Sequence, residues 1–341
     1  ATIADIVELK GENRIIAKFG LEKIRNNPCI GIKALLNTAL VNTAQIDSYR
    51  VSYIIAPRIN AAGRMGDARI AVKLFTTDDE SEAEKYAFAL NSSNTKRQEI
   101  QDTIFNEAVV IIDDDPGYIK EKVIVVYHEN WHHGVIGIVA SKLVERYNKP
   151  VFVFSVENEK AVGSARGIEG FNIFKAMESQ SDLLVKYGGH EQAGGLTIIP
   201  SNLELFRNRI NLYANEIITD EMLIPETIID IEAKVNDISL NTAKLISQFE
   251  PFGCGNKVPV FCYKGAIVKD KKIVGNGRHL KLSFEIDGKM IEGVYFGKGY
   301  LDTGIFLDDV VDIVFTQEVN EFRGVENLQI KLLDMRLTEK A

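Results

Sequence analysis

Cysteine is scarce in this chain: Cys29, Cys254 and Cys262 are its only three, an odd number with no metal-ligand spacing. That excludes a disulfide-stapled scaffold and a cysteine-built zinc site, and it fits free thiols in a reducing cytoplasm, the expected location. Long apolar runs are missing too. The longest, VIVVY and PVFVF, are strand-sized and far short of the ~20 residues of a membrane span, so no membrane partner is expected. No basic, apolar, small-residue leader suggests export, and no repeat of about 20–50 residues suggests a solenoid. An excess of positive charge is absent as well. Forty Lys and Arg against 48 Asp and Glu leave a net charge of −8, which argues against a protein that coats nucleic acid by bulk electrostatics. The chain opens abruptly on alanine in ATIADIVEL, and the expectation is that an N-terminal part of the protein is missing.

What is present reads as a globular α/β protein. With 341 residues, 45% hydrophobic and 26% charged, the chain suits two or three domains. Residues 77–112 carry apolar residues at three- and four-residue steps, predicting a helix or helix pair, with Thr77 and Glu80 as a capping box. Its middle, NSSNTKRQE, is polar all round, as expected of a connector running through solvent. From Lys122 the order VIVVYH, GVIGIVASKLVERY, PVFVFS predicts strand, helix, strand, hence a parallel sheet with a right-handed crossover. From about Pro225 short alternating runs separated by glycine, asparagine and aspartate predict a small barrel or sandwich. Between Asn256 and Lys298 nine Lys or Arg stand against four acids, and residues 301–321 hold six acids and no base. Such asymmetry suits a basic groove for single-stranded nucleic acid; clustering on a solvated surface explains it equally well.

Several short motifs carry candidate chemistry, each with a plainer alternative. In YGGHEQAGGL, Gly188 and Gly189 let backbone amides approach a phosphate while His190 donates to charge that develops in phosphoryl transfer; a turn histidine with a satisfied ring is the alternative. In GSARG, Ser164 and Arg166 share one face of an extended segment and form a credible phosphate clamp, or an ordinary surface ion pair. PRINAAGRMGDAR gathers Arg58, Arg64 and Arg69, although a helix start after Pro57 accounts for it too. His132, in WHHG, precedes a helix whose N-terminus could take an anion, while Trp131 could plug a core. Asp5 is expected at a strand end and could be one metal ligand, or a cap. No cluster in the chain supplies the several carboxylates and histidines of a two-metal site.

Taken together, ATIADIVELKGENR, PRINAAGRMGDA, WHHGVIGIVASKLVERYNKPVFVFS, GSARGIEGFNIFKAM, YGGHEQAGGL, FEPFGCGNKVPVF and GRHLKLSF resemble the C-terminal two-thirds of RecJ-type single-strand-specific exonucleases of the DHH phosphoesterase superfamily. The resemblance implies four segments: the end of a DHH catalytic domain (1–50), a helical connector (51–115), a parallel-sheet α/β DHH-associated domain (116–218) and an oligonucleotide-binding (OB) barrel (219–341). It implies 5′→3′ hydrolysis of single-stranded DNA in repair and recombination, with Mn²⁺ or Mg²⁺. Asp5 would match the last metal-binding aspartate, Arg64 (rather than Arg58), Ser164 and Arg166 the 5′-phosphate positions, and His190 the histidine beside the scissile phosphate. Arg278 and Lys281 would hold DNA on the barrel. The earlier metal-binding aspartates and the Asp-His-His motif should precede Ala1, so this stretch alone should bind and not cut. A monomer is expected, with single-strand-binding protein and helicases as partners. A noncatalytic single-strand-binding module and an oligonucleotide or cyclic-dinucleotide phosphodiesterase are the alternatives.

Overall fold

The computed structural model describes residues 2–5, 7–299, 304–322 and 324–339. Packing divides the chain into two compact units, Asn27–Thr43 with Tyr53–Glu226, and Ala1–Asn26 with Ala44–Ser52 and Thr227–Ala341. Among the described residues no helix is long and apolar enough to cross a membrane.

The first unit begins with helices α1 (Ile30–Thr38), α2 (Ala56–Met65), α3 (Arg69–Thr76) and α4 (Glu80–Asp114). Asp79, not Thr77, caps α4, its Oδ1 accepting from the Glu82 N–H at 2.9 Å, while the Thr77 hydroxyl donates to the Glu82 carboxylate at 2.8 Å. The helix runs unbroken for 35 residues. Its polar middle lies in solvent on one side only, with Asn94 and Arg97 turned inward. The buried stripe Ala83, Ala87, Leu90 continues through Asn94, Arg97 and Gln101 to Ile104, Ala108 and Ile112, so three polar side chains occupy core positions. They are tolerated because they bond one another.

The sheet comprises β1 (Ile124–His128), β2 (Val151–Glu157), β3 (Lys160–Arg166), β4 (Leu184–His190) and β5 (Ala193–Ile198), in the order β1-β2-β3-β5-β4. Only β1 and β2 are parallel, joined by α5 (His133–Tyr147) as the crossover. The other pairings are antiparallel. The parallel sheet expected from the sequence is therefore mixed, because the two-residue links between β2 and β3 and between β4 and β5 are too short for a crossover. On one face Phe152 and Phe154 pack edge-on against Phe206 of α7 (Leu203–Ile217), beyond α6 (Ile173–Glu178). Each fully buried phenylalanine stabilises by about 1.5–3 kcal/mol. On the other face Val126, Val151 and Val153 meet α5 and the last turns of α4.

In the second unit five strands close a barrel: β6 (Phe261–Val274), β7 (His279–Ile286), β8 (Lys289–Tyr295), β9 (Val310–Phe322) and β10 (Val325–Leu337). Antiparallel pairings join β6–β7, β7–β8, β9–β10 and β9–β6, and a short parallel pairing of β10 with β8 completes the ring. In β7, Leu280, Leu282, Phe284 and Ile286 alternate inward, the period of a strand with one wet face. The helix Gly11–Asn26 belongs to this unit: the Leu9 N–H donates to the Cys254 carbonyl and Arg14 donates to the Phe249 carbonyl, at 2.7 and 2.9 Å.

Candidate functional site

Sheet register assembles the site. Ser164 pairs with Gly195, which pairs with Gly188; two residues along, Arg166 pairs with Ala193, which pairs with His190. Residues opposite one another share a face, as do residues two apart on one strand. Ser164, Arg166, Gly195, Gly188 and His190 therefore all stand on the face that also carries Val151 and Val153, their partners on β2. Helix α5 covers β2 and β3 on that face. Cβ atoms at Gly188 or Gly195 would meet essentially open space, and Gly188, Gly195 and His190 are exposed. The result is a backbone-floored shelf with a hydroxyl, a guanidinium and an imidazole on it. Gly189 has a different reason: a Cβ there would strike the Ala193 carbonyl oxygen at 2.3 Å.

The helix above is cut to fit. A Cβ on Gly137 would lie 2.9 Å from Ser164 Oγ and 3.2 Å from Arg166 Nη2, so glycine leaves room for the pair. Arg166 Nη1 donates to Ser164 Oγ at 3.1 Å and to the Ala165 carbonyl at 2.7 Å. Arg64 donates to the Gly134 carbonyl at 3.3 Å. Burial first, then the charge of Arg64, holds the Arg166 guanidinium below its ordinary value. The same two causes, again burial first, lower Arg97 despite a countering Asp102. Arg97 bonds only neutral amides, Gln101 Oε1 at 2.6 Å and Asn94 Oδ1 at 2.9 Å, and its Nε has no partner among the described residues. Arg64 thus acts on both Arg166 and Arg97, and among the described residues no carboxylate is hydrogen-bonded to any of the three, an arrangement that favours an anion.

His190 Nδ1 accepts the Gln192 N–H at 3.3 Å. In the neutral ring the proton then sits on Nε2, leaving a donor for an oxygen. Arg166 and His190 are two strand spacings apart, roughly 10 Å.

The remaining candidates separate. Arg58 is half-buried and engaged, donating to Asn91 Oδ1 at 3.0 Å and the Ile54 carbonyl at 2.6 Å, with burial lowering its pKa. Arg69 pairs with Asp67. His132 caps α5, its Nδ1 accepting from the Gly134 N–H at 3.1 Å. Trp131 is a core plug, buried and donating to Glu107 at 2.7 Å. The cleft lined by Glu129, Asn130, Val156, Glu157 and Asn158 is acidic, the wrong sign for phosphate. Asp5 belongs to the other unit and sits exposed in a turn, not at a strand end. Among the described residues no group of three His, Cys, Asp or Glu is placed to hold a metal ion. On the barrel, Lys281 pairs with Glu292 at 2.8 Å, whereas Arg278 is exposed and, among the described residues, its side chain donates to the Gly275 carbonyl alone, at 3.3 Å. Sequence reasoning missed Arg97; the signal was its place in the three- and four-residue stripe that continues on both sides of it.

Comparisons with known proteins bear on this geometry. The sequence matches the DHHA1 domain family over residues 120–216 and the RecJ OB domain family over 229–334. It is 33% identical over 341 residues to the single-stranded-DNA-specific exonuclease RecJ of Bacillus subtilis, covering 99% of this chain and 43% of the relative. RecJ of Thermus thermophilus, solved with Mg²⁺ and with Mn²⁺, superposes with a TM-score of 0.84 at 29% identity, over 99% of this chain and 51% and 49% of those chains. The chain spans about half the length of these relatives. It belongs to the RecJ family of the DHH phosphoesterase superfamily.

Proposed function

We propose that the whole protein degrades single-stranded DNA from its 5′ end, in repair and recombination in the cytoplasm, and that the α/β unit holds the terminal phosphate. The observation that carries this reading is the registered face on which Ser164, Arg166 and His190 stand together, with Arg166 under the influence of Arg64 and no carboxylate bonded to either arginine among the described residues. A terminal phosphate near neutral pH carries about −1.5 to −2 charges and three free oxygens, whereas an internal phosphodiester has two free oxygens and one charge. Arg166, Arg64 and Arg97 would neutralise the former, Ser164 would add a hydroxyl donor, and His190 Nε2 would donate to an adjoining phosphodiester. Selection for the chain end follows from that charge difference. Arg58 and His132, held by structural bonds, act in this reading as supports, and Gly188 and Gly189 as the floor.

RecJ of Thermus thermophilus stands in complex with Mg²⁺ and with Mn²⁺. The described residues of the present chain do not fit a metal pair on their own, since Asp5 stands exposed and no cluster surrounds it. Metal chemistry belongs in this reading to the whole protein, with Asp5 as one ligand. The four segments 1–50, 51–115, 116–218 and 219–341 are proposed as its functional parts, in a monomer, with single-strand-binding protein and helicases as partners. The closed barrel weighs against a phosphodiesterase restricted to short oligonucleotides or cyclic dinucleotides. The test is Arg166→Ala in a full-length protein, comparing degradation of 5′-phosphorylated and 5′-hydroxyl single strands. Loss of the preference for phosphorylated ends is expected; an unchanged preference defeats the assignment.

A further inference from the structure

Glycines on β3, β4 and β5 are of two kinds. Gly163 and Gly194 face the core, where a Cβ on the first would meet Phe154 at 2.5 Å and one on the second Met177 at 2.4 Å. Packing requires them. Gly188 and Gly195 face the shelf, where added Cβ atoms meet essentially open space, and neither backbone lies in the left-handed region. Glycine in a strand interior weakens it, so the fold gains nothing from this pair. The bare backbone leaves room for a flat ring to lie against it.

Sheet register extends the shelf by one more row. Val162 pairs with Thr197, which pairs with Lys186. These three stand two residues along from Ser164, Gly195 and Gly188, on the same face and roughly 6.8 Å farther from the row of Arg166 and His190. Val162 and Thr197 are half-buried and Lys186 is exposed. Among the described residues the Thr197 hydroxyl and the Lys186 ammonium have no hydrogen-bond or ion-pair partner. Residues opposite one another in an antiparallel pair have Cβ atoms about 5 Å apart, so both groups can reach one edge of a ligand. With a terminal phosphate on Ser164 and Arg166 and the next phosphodiester at His190, the first nucleoside is held over Gly195 and Gly188. Its base then extends along the bare backbone to this row.

We propose that the row is a subsite for the first base of the strand, with the glycine backbone beneath the ring, Val162 as an apolar edge, and Lys186 and Thr197 donating to the base. The inference rests on the end-binding reading above and goes beyond it by assigning two specificity-determining residues and a preference. An ammonium donates and never accepts, so the subsite favours a base that presents adjacent acceptors. Guanine does, with O6 and N7; thymine presents O4 beside its methyl group, and adenine and cytosine set an amino group, N6 or N4, against the ammonium.

The test uses the 341-residue chain and four short 5′-phosphorylated single strands that differ only in their first base, in fluorescence anisotropy. Guanine is expected to bind tightest, about tenfold over adenine and cytosine, with thymine between. A first base of 7-deazaguanine, which lacks the N7 acceptor, should lose part of that advantage. Lys186→Met should level the four strands and Lys186→Arg should keep guanine first, while Thr197→Val narrows the spread. In all three variants the preference for a 5′-phosphate over a 5′-hydroxyl should persist, which also reports an intact fold. Equal affinity of the unaltered chain for all four strands, or a guanine preference that survives Lys186→Met, overturns the subsite and leaves end recognition standing. So does a uniform loss across the four bases with a salt slope lower by about 0.7, which would make Lys186 a phosphate contact. An unaltered chain with neither base preference nor phosphate preference sinks the end-binding reading and this one with it.

Discussion

In the α/β unit Arg166 and Arg97 are drawn into partly buried positions with no carboxylate bonded to them among the described residues, while on the barrel's strands Lys264, Lys269, Lys272 and Lys281 each lie within salt-bridge reach of one. The contrast separates two ways of meeting a polyanion. Burying an unmatched cation costs stability, and a protein recovers that cost only when an anion of the right charge arrives. Such a site discriminates strongly. Matched surface lysines cost almost nothing and discriminate little.

Three changes would break or sharpen this contrast. Gly137→Val should have the largest effect, because its side chain must displace Ser164 Oγ or Arg166 Nη2 from 2.9 and 3.2 Å. Overpacking of this kind costs about 1–3 kcal/mol, and a thermal melt should show it, together with loss of stabilisation by a 5′-phosphorylated nucleotide. Arg97→Met comes next and carries the sharper signature. Removing the buried cation relieves its own burial but leaves Asn94 Oδ1 and Gln101 Oε1 without their donor, so the melting temperature of the free chain should fall modestly, while 5′-phosphate binding weakens by about tenfold, the worth of ~1.4 kcal/mol of charge-assisted bonding. A lowered melting temperature with unchanged 5′-phosphate binding would mean that Arg97 is a structural residue and nothing more. Smallest is Glu292→Gln, which frees Lys281: single-strand binding should tighten about twofold and its salt slope steepen by up to ~0.7, read by anisotropy across a salt series.

Much of this was legible from local periodicity. VIVVYH and PVFVFS became β1 and β2, GVIGIVASKLVERY became α5, and the period of two put Ser164 and Arg166 on one face. Register was not legible. That Gly195 lies opposite both Ser164 and Gly188, and Ala193 opposite both Arg166 and His190, depends on pairings between strands distant in sequence. The neutralised lysines were hidden for the same reason: Lys264–Glu232 and Lys269–Asp308 span long stretches of chain, so a running count of charge cannot tell a basic groove from matched ion pairs. Arg97 was concealed differently. NSSNTKRQE looks polar from every side, and only the apolar stripe extended from Leu90 to Ile104 shows that Asn94, Arg97 and Gln101 fall on its buried line.

The most direct measurement is competition between two otherwise identical single strands, one ending in a 5′-phosphate and one in a 5′-hydroxyl, for the 341-residue chain and for Arg166→Ala. The account predicts tighter binding of the phosphorylated strand by about tenfold or more, again ~1.4 kcal/mol, abolished by the substitution. Equal affinity for both ends in the unaltered chain would contradict it.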